Sequence, residues 1–196
     1  MMPPGNSWTK SAGTSQGAAP PWEDAASGPL WIVGYGNPQR RDDGLGPYVI
    51  SLVEERLEGR PGIRTLGAHQ LVPELCEDLK DAGQILLIDA ALEENSRGWR
   101  WRNVEPELSG WPSLSHGVSP GVLLGLLQSF YEKSPPTWLI SIQGKDFDFG
   151  EELSPEAEER ARKVAEEIMM FVNGEWRPGE SDEEIDSDTS SPTPEK

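Results

Sequence analysis

Apolar residues along the chain fall into short runs that alternate between two periods. Leu30–Tyr35, LWIVGY, is a continuous apolar run and predicts a strand buried on both faces. Tyr48, Val49, Leu52, Val53 and Leu57 then recur near helical spacing, predicting a helix over Gly46–Glu58. Pro47 sits in its first turn, where a missing N–H costs little. Ile63–Ala68 predicts a second, weaker strand, and Leu75, Cys76 and Leu79 put one apolar face on a helix over Pro73–Ala82. Gln84–Ala90, QILLIDA, is apolar on both faces, as a central parallel strand is. In Gly98–Val104 the residues Trp99, Trp101 and Asn103 alternate with Arg100 and Arg102, so this strand has one exposed face and belongs at an edge. Val122, Leu123, Leu126, Leu127 and Phe130 predict a helix over Pro120–Tyr131, capped by Ser119. Thr137–Ile142 is another buried strand. The last helix opens at Ser154-Pro155, with Ser154 as its cap, carries Val164, Ile168, Phe171 and Val172 as its stripe, and stops at Gly174.

This alternation predicts a single-domain α/β protein. Its sheet is mostly parallel and doubly wound, with about five strands and helices on both faces. The domain spans residues 29–174. Residues 1–28 are rich in Pro, Gly, Ser and Ala and read as a flexible extension, and residues 175–196 as an acidic, disordered tail.

Charge narrows the partners. Lys and Arg number 17 against 34 Asp and Glu, a net charge of −17. The tails inflate that figure, but the balance argues against nucleic acid and anionic membranes as partners. No apolar run approaches the roughly 20 residues that span a bilayer, and the N-terminus lacks the apolar core of a secretory signal. The single cysteine, Cys76, excludes an intrachain disulfide and falls on an apolar helix face, so it reads as core. These features lead us to expect a cytoplasmic protein.

In such sheets, sites form beyond the carboxyl ends of the strands, where the strand order reverses. After the first strand comes GYGNPQRRDDGLG, Gly34–Gly46. It fails the dinucleotide fingerprint, because Gln39 stands at the third glycine position and Pro38 removes an N–H that a pyrophosphate would need. No P-loop and no GxSxG elbow is present. The loop does hold Asp42 and Asp43, one acid more than a helix cap requires; the first can brace the loop while the second faces the crevice. Asp89 leaves the central strand beside the same crevice, where a carboxylate must be hydrogen-bonded, paired or bound to a cation. His116, in the Ser/Gly loop SLSHGVSP before the third helix, projects to the same end. Asp43, Asp89 and His116 form an O,O,N set suited to Zn²⁺ or Ni²⁺, with positions left open for a substrate. The other histidine, His69 in GAHQLVPEL, reads as structural or substrate-positioning.

Over about Leu30 to Gly174 the chain resembles the hydrogenase maturation endopeptidases, the family that processes the large subunit of nickel–iron hydrogenases. The resemblance rests on GYGNPQRRDDGLG, on LLIDA, on SHGVSP entering a helix, and on their order. It implies an enzyme that removes a short C-terminal peptide from the nickel-loaded large-subunit precursor. By motif position, Asp43, Asp89 and His116 fall on the residues that contact the metal. It also implies no permanent cofactor: the nickel comes with the substrate, held by substrate cysteines, and the three residues complete its coordination. A water, polarised by the metal or activated by a carboxylate, would be the nucleophile. One departure stands out. Some members carry an acid and a Gly-Gly-Thr turn after the second strand, where this chain has LGAHQLVPEL with Gly67 near the acid's place. That acid's role therefore does not carry over, and His69 and Gln70 shape this side instead. Two other readings stand behind this one. The first is a stand-alone metal-dependent hydrolase of small peptides or amides, with its own zinc. The second is a non-enzymatic hydrogenase assembly factor, for which the His-rich or Cys-rich tract is missing. A monomer is expected. The tryptophans of GWRWRNV read either as a docking edge or as packing against a neighbouring element.

Overall fold

The computed structural model describes residues 28–93, 95–108 and 117–178. The extension up to residue 27 and the tail from residue 179 lie outside them. In chain order the elements are β1 (Leu30–Tyr35), a 3-10 turn (Arg41–Gly44), α1 (Leu45–Leu57), β2 (Ile63–Ala68), α2 (Leu75–Leu79), β3 (Gln84–Ala91), β4 (Trp99–Asn103), α3 (Pro120–Tyr131), β5 (Thr137–Gln143) and α4 (Pro155–Val172). The sheet order is β2-β1-β3-β5-β4. All pairs are parallel except β4 with β5, so the expected edge strand is the antiparallel one. The chain leaves β1 toward β2, then returns to place β3 on the other side of β1. The strand order therefore reverses between β1 and β3.

Period two along the strands divides the core. Leu30, Ile32, Leu86, Ile88, Ile140 and Ile142 face α1 and α4. Trp31, Val33, Ile85, Leu87 and Leu139 face α2 and α3. The N-terminal turn of α1 lies against the end of β1 at van der Waals limit. A Cβ on Gly34 would stand 2.2 Å from the Gly46 carbonyl oxygen, and one on Gly46 would stand 2.3 Å from that of Tyr35. Both obstacles are backbone and cannot rotate away. Gly46→Ala is therefore expected to cost at least about 1–3 kcal/mol, read as a lower urea midpoint at unchanged slope.

Several elements differ in detail from the sequence expectation. Only five residues of the predicted Pro73–Ala82 helix are α-helical. The flanks close as single turns, such as Cys76 N–H to Pro73 O at 3.1 Å and Ala82 N–H to Leu79 O at 3.0 Å. Ser119 caps α3 by accepting from the Val122 N–H at 3.2 Å. Ser154 occupies the N-cap position of α4, but its hydroxyl is turned away from the helix to donate to Asp42 at 2.8 Å. Phe130 is exposed and stands outside the buried face of α3.

The tryptophans of β4 are packed, not displayed. Trp99 and Trp101 are buried beneath α4, and both indole N–H groups donate to one Glu167 oxygen, at 2.9 and 3.0 Å. Arg97 pairs with the same carboxylate and lies 4.7 Å over the Trp99 ring. Trp101 also meets Trp176 edge-on at 5.0 Å. A carboxylate drawn under a helix is tolerated because two indoles and a guanidinium satisfy it. The outward face of β4 carries Arg100 and Arg102 instead. Among the described residues no helix is long and apolar enough to cross a membrane.

Candidate active site

The loop after β1 folds back on itself. Gly36 has φ +136°, and a Cβ there would lie 1.9 Å from the Asp43 carbonyl oxygen, so only glycine closes this turn. The Asn37 N–H donates to Asp43 Oδ2 at 3.0 Å, and Asn37 Oδ1 accepts from the Gln39 N–H at 2.9 Å. Arg41, at φ +46°, turns the chain into the 3-10 segment. That segment sends its two acids in different directions.

Asp42 points inward and is fully buried. It accepts from the Lys145 and Asp146 N–H groups at 2.8 and 3.0 Å, and from the Ser154 N–H and hydroxyl at 2.7 and 2.8 Å. Burial pushes its carboxyl up, but these four bonds outweigh burial and hold it below the ordinary carboxylate value. Asp42 thus ties the β1 loop to the β5–α4 loop. Asp43 faces the crevice. The division of labour that two adjacent acids suggested is the one the fold adopts.

Asp89 follows Ile88 on β3. The β1–β3 register pairs Val33 with Leu87 and Gly34 with Ile88. One step further, Tyr35 and Asp89 share the face turned to α2 and α3. Burial pushes the Asp89 carboxyl up to about 6; the Tyr35 hydroxyl and the Ala90 N–H oppose that, the charge of Asp43 adds to it, and Arg102 opposes it weakly. The Tyr35 phenol is itself pushed far up, first by burial and then by Asp89.

Asp43 and Asp89 line one cleft of about 660 Å³ at the switch point, together with Tyr35, Arg40, His69, Gln70 and the residues Gly117 and Val118 before α3. The Val118 N–H donates to the Leu71 carbonyl at 2.9 Å, joining the approach to α3 with the β2–α2 loop. Gly117 is the residue after His116, which itself lies outside the described residues. Among the described residues no three His, Cys, Asp or Glu side chains converge closely enough to hold a metal ion. Cys76 is buried among α2 and α3, its thiol pushed up to about 11 by burial and then by Glu74, which makes it a poor nucleophile. Tyr35 and Arg40 were not singled out from the sequence as site residues. Strand parity signals Tyr35, since it continues the Trp31–Val33 face, but nothing local separates Arg40 from Arg41.

Fold and cleft together define a class: doubly wound α/β proteins that bring two carboxylates to the carboxyl end of the sheet at its switch point. The fold is that of the hydrogenase maturation proteases. It matches the nickel–iron hydrogenase maturation protease HycI from Thermococcus kodakarensis with a TM-score of 0.57 at 23% identity, over 74% of this chain and 92% of that one. The hydrogenase maturating endopeptidase HybD from E. coli matches with a TM-score of 0.60 at 17% identity, over 75% of this chain and 93% of that one. A hydrogenase 2 maturation peptidase from a Thaumarchaeota archaeon matches with a TM-score of 0.55 at 18% identity, over 74% and 97%. No family profile and no curated protein matches the sequence.

Proposed function

We propose that the chain is an endopeptidase that removes a short C-terminal peptide from the nickel-loaded large-subunit precursor of a nickel–iron hydrogenase. The observation that carries this reading is the meeting of Asp43 and Asp89 in one cleft at the switch point of a fold shared with hydrogenase maturation proteases. Asp43, Asp89 and His116 complete the coordination of a nickel ion that the precursor already holds, so the metal belongs to the substrate and a precursor without it lacks the feature gripped. A water attacks the scissile carbonyl. Asp89 takes the water's proton and passes it to the leaving amine. The protein works as a monomer in the cytoplasm, alongside its precursor, and keeps no cofactor of its own.

Intact-mass spectrometry of the nickel-loaded precursor tests this. Incubation with the wild type is expected to remove one discrete C-terminal peptide, and incubation with Asp43→Asn to leave the mass unchanged. Equal shortening by both would remove Asp43 from the chemistry.

A further inference from the structure

We infer that Arg40 is the electrophilic group of this cleft: its guanidinium receives the oxygen of the scissile carbonyl and stabilises the negative charge that develops there. The inference rests on the endopeptidase reading.

Arg40 is the one lysine or arginine among the described residues lining the cleft that holds Asp43 and Asp89. Its position is fixed from two sides. Its N–H donates to the Asn37 carbonyl at 2.9 Å, and a β-bridge joins it to Gly150. Its side chain donates through Nε and Nη2 to the single carbonyl of Phe147, at 3.2 and 3.0 Å. A guanidinium has five N–H donors. Two are spent on Phe147, so three remain. Among the described residues no carboxylate lies within 4.0 Å of it, whereas Arg41 next to it is paired with Asp146, Arg64 with Asp81 and Arg97 with Glu167. In a chain with 34 acids and 17 bases, an oriented cation held by a neutral carbonyl keeps its charge available to a ligand.

The reaction needs that charge. As the water oxygen bonds to the carbonyl carbon, the C=O π pair moves onto oxygen. The C–N bond then breaks, its pair goes to nitrogen, and nitrogen takes the proton that the attacking water gave up. Between these events the carbonyl oxygen is an anion beside the Asp43 carboxylate, Asp89 being neutral while it holds the water's proton. At 4 Å Asp43 would repel it by about 4 kcal/mol at an effective dielectric constant near 20. The substrate's nickel is already engaged by its own cysteines and by the cleft's ligands. A preorganised donor aimed at the nascent anion lowers this barrier. A permanent substrate carboxylate would meet the same repulsion throughout binding, so a charge that exists only during reaction is the better match.

The test is single-turnover trimming of the nickel-loaded precursor by wild type, Arg40→Gln, Arg40→Lys and Arg40→Ala, at several enzyme concentrations, with melting curves for each. Arg40→Gln is expected to lower the saturating rate by about 100-fold or more while half-saturation moves by less than about threefold. Arg40→Lys is expected to recover part of that loss. Guanidinium ion added to Arg40→Ala, below denaturing concentration, is expected to restore trimming. A saturating rate within about threefold of wild type would overturn the inference. So would a loss confined to half-saturation, which would mark a bound carboxylate instead. Loss that follows melting temperature and resists added guanidinium would reduce Arg40 to a tether for the Phe147 loop. A wild type that trims nothing would sink the endopeptidase reading itself, and this inference with it.

Discussion

Asp89→Asn is expected to yield a protein that no longer trims the precursor yet is more stable than the wild type at pH 7. The carboxyl is raised from 3.8 to about 6 in the fold, chiefly by burial. Below pH 3.8 folded and unfolded chains both hold the proton, and ionisation costs the fold nothing. As pH rises, the unfolded chain releases its proton first. The native state loses stability until about pH 6, and the deficit is constant above that. The gap corresponds to about 2–3 kcal/mol at neutral pH. Asparagine keeps the shape and removes the charge. Its melting temperature should rise by several degrees, at about 2–4 °C per kcal/mol for a domain of this size. On the proposed function, trimming should fall at least about 1,000-fold, since that reading gives Asp89 both a metal contact and the proton transfer. Melting curves at pH 7 and pH 4 check the origin: the gain should shrink toward zero at the lower pH. A gain that persists unchanged there would assign it to packing.

Asp42→Ala is expected to do the opposite, collapsing stability before any question of chemistry arises. The carboxylate is fully buried and accepts four hydrogen bonds. Its removal strands those donors at a cost of about 3–5 kcal/mol, a large share of a domain's total. The carboxyl is held below its ordinary value in the fold, so its contribution is complete above pH 3.8 and is lost as pH falls from there toward the lower folded value. Urea unfolding at pH 7 and pH 3 isolates this contribution: on acidification the wild type should lose up to about 1 kcal/mol relative to Asp42→Asn, which cannot ionise. Equal losses for the two proteins would place the acid sensitivity elsewhere.

Most of the fold was legible because its strands are short and strongly apolar. QILLIDA admits no other place than the middle of a parallel sheet, and the alternation of GWRWRNV marks an edge. What was less legible depends on partners far away in sequence. Ser154 looks like an ordinary cap until Asp42 draws its hydroxyl away. Trp99 and Trp101 can equally be read as a docking edge until Glu167, two helices later on α4, claims both indoles. The cleft was legible in its acids, because both end apolar strands or their loops. It was not legible in Arg40, whose orientation rests on a carbonyl 107 residues away. Nothing in RRDDG distinguishes the arginine that stays in the cleft from the one that pairs with Asp146.

The bonds of Asp42 span 103 to 112 residues. During synthesis this sets an order of assembly. β1 and its loop emerge early, but the acid that braces the loop has its full set of donors only after Ser154 has been made, and α4 follows that residue. Loop-closure entropy delays such long-range contacts, and domains complete them as units. A nascent chain that ends short of α4 therefore carries Asp43 on an unbraced loop with Asp42 unpaired. The cleft is among the last parts of the molecule to form, and a ribosome-bound intermediate cannot display it.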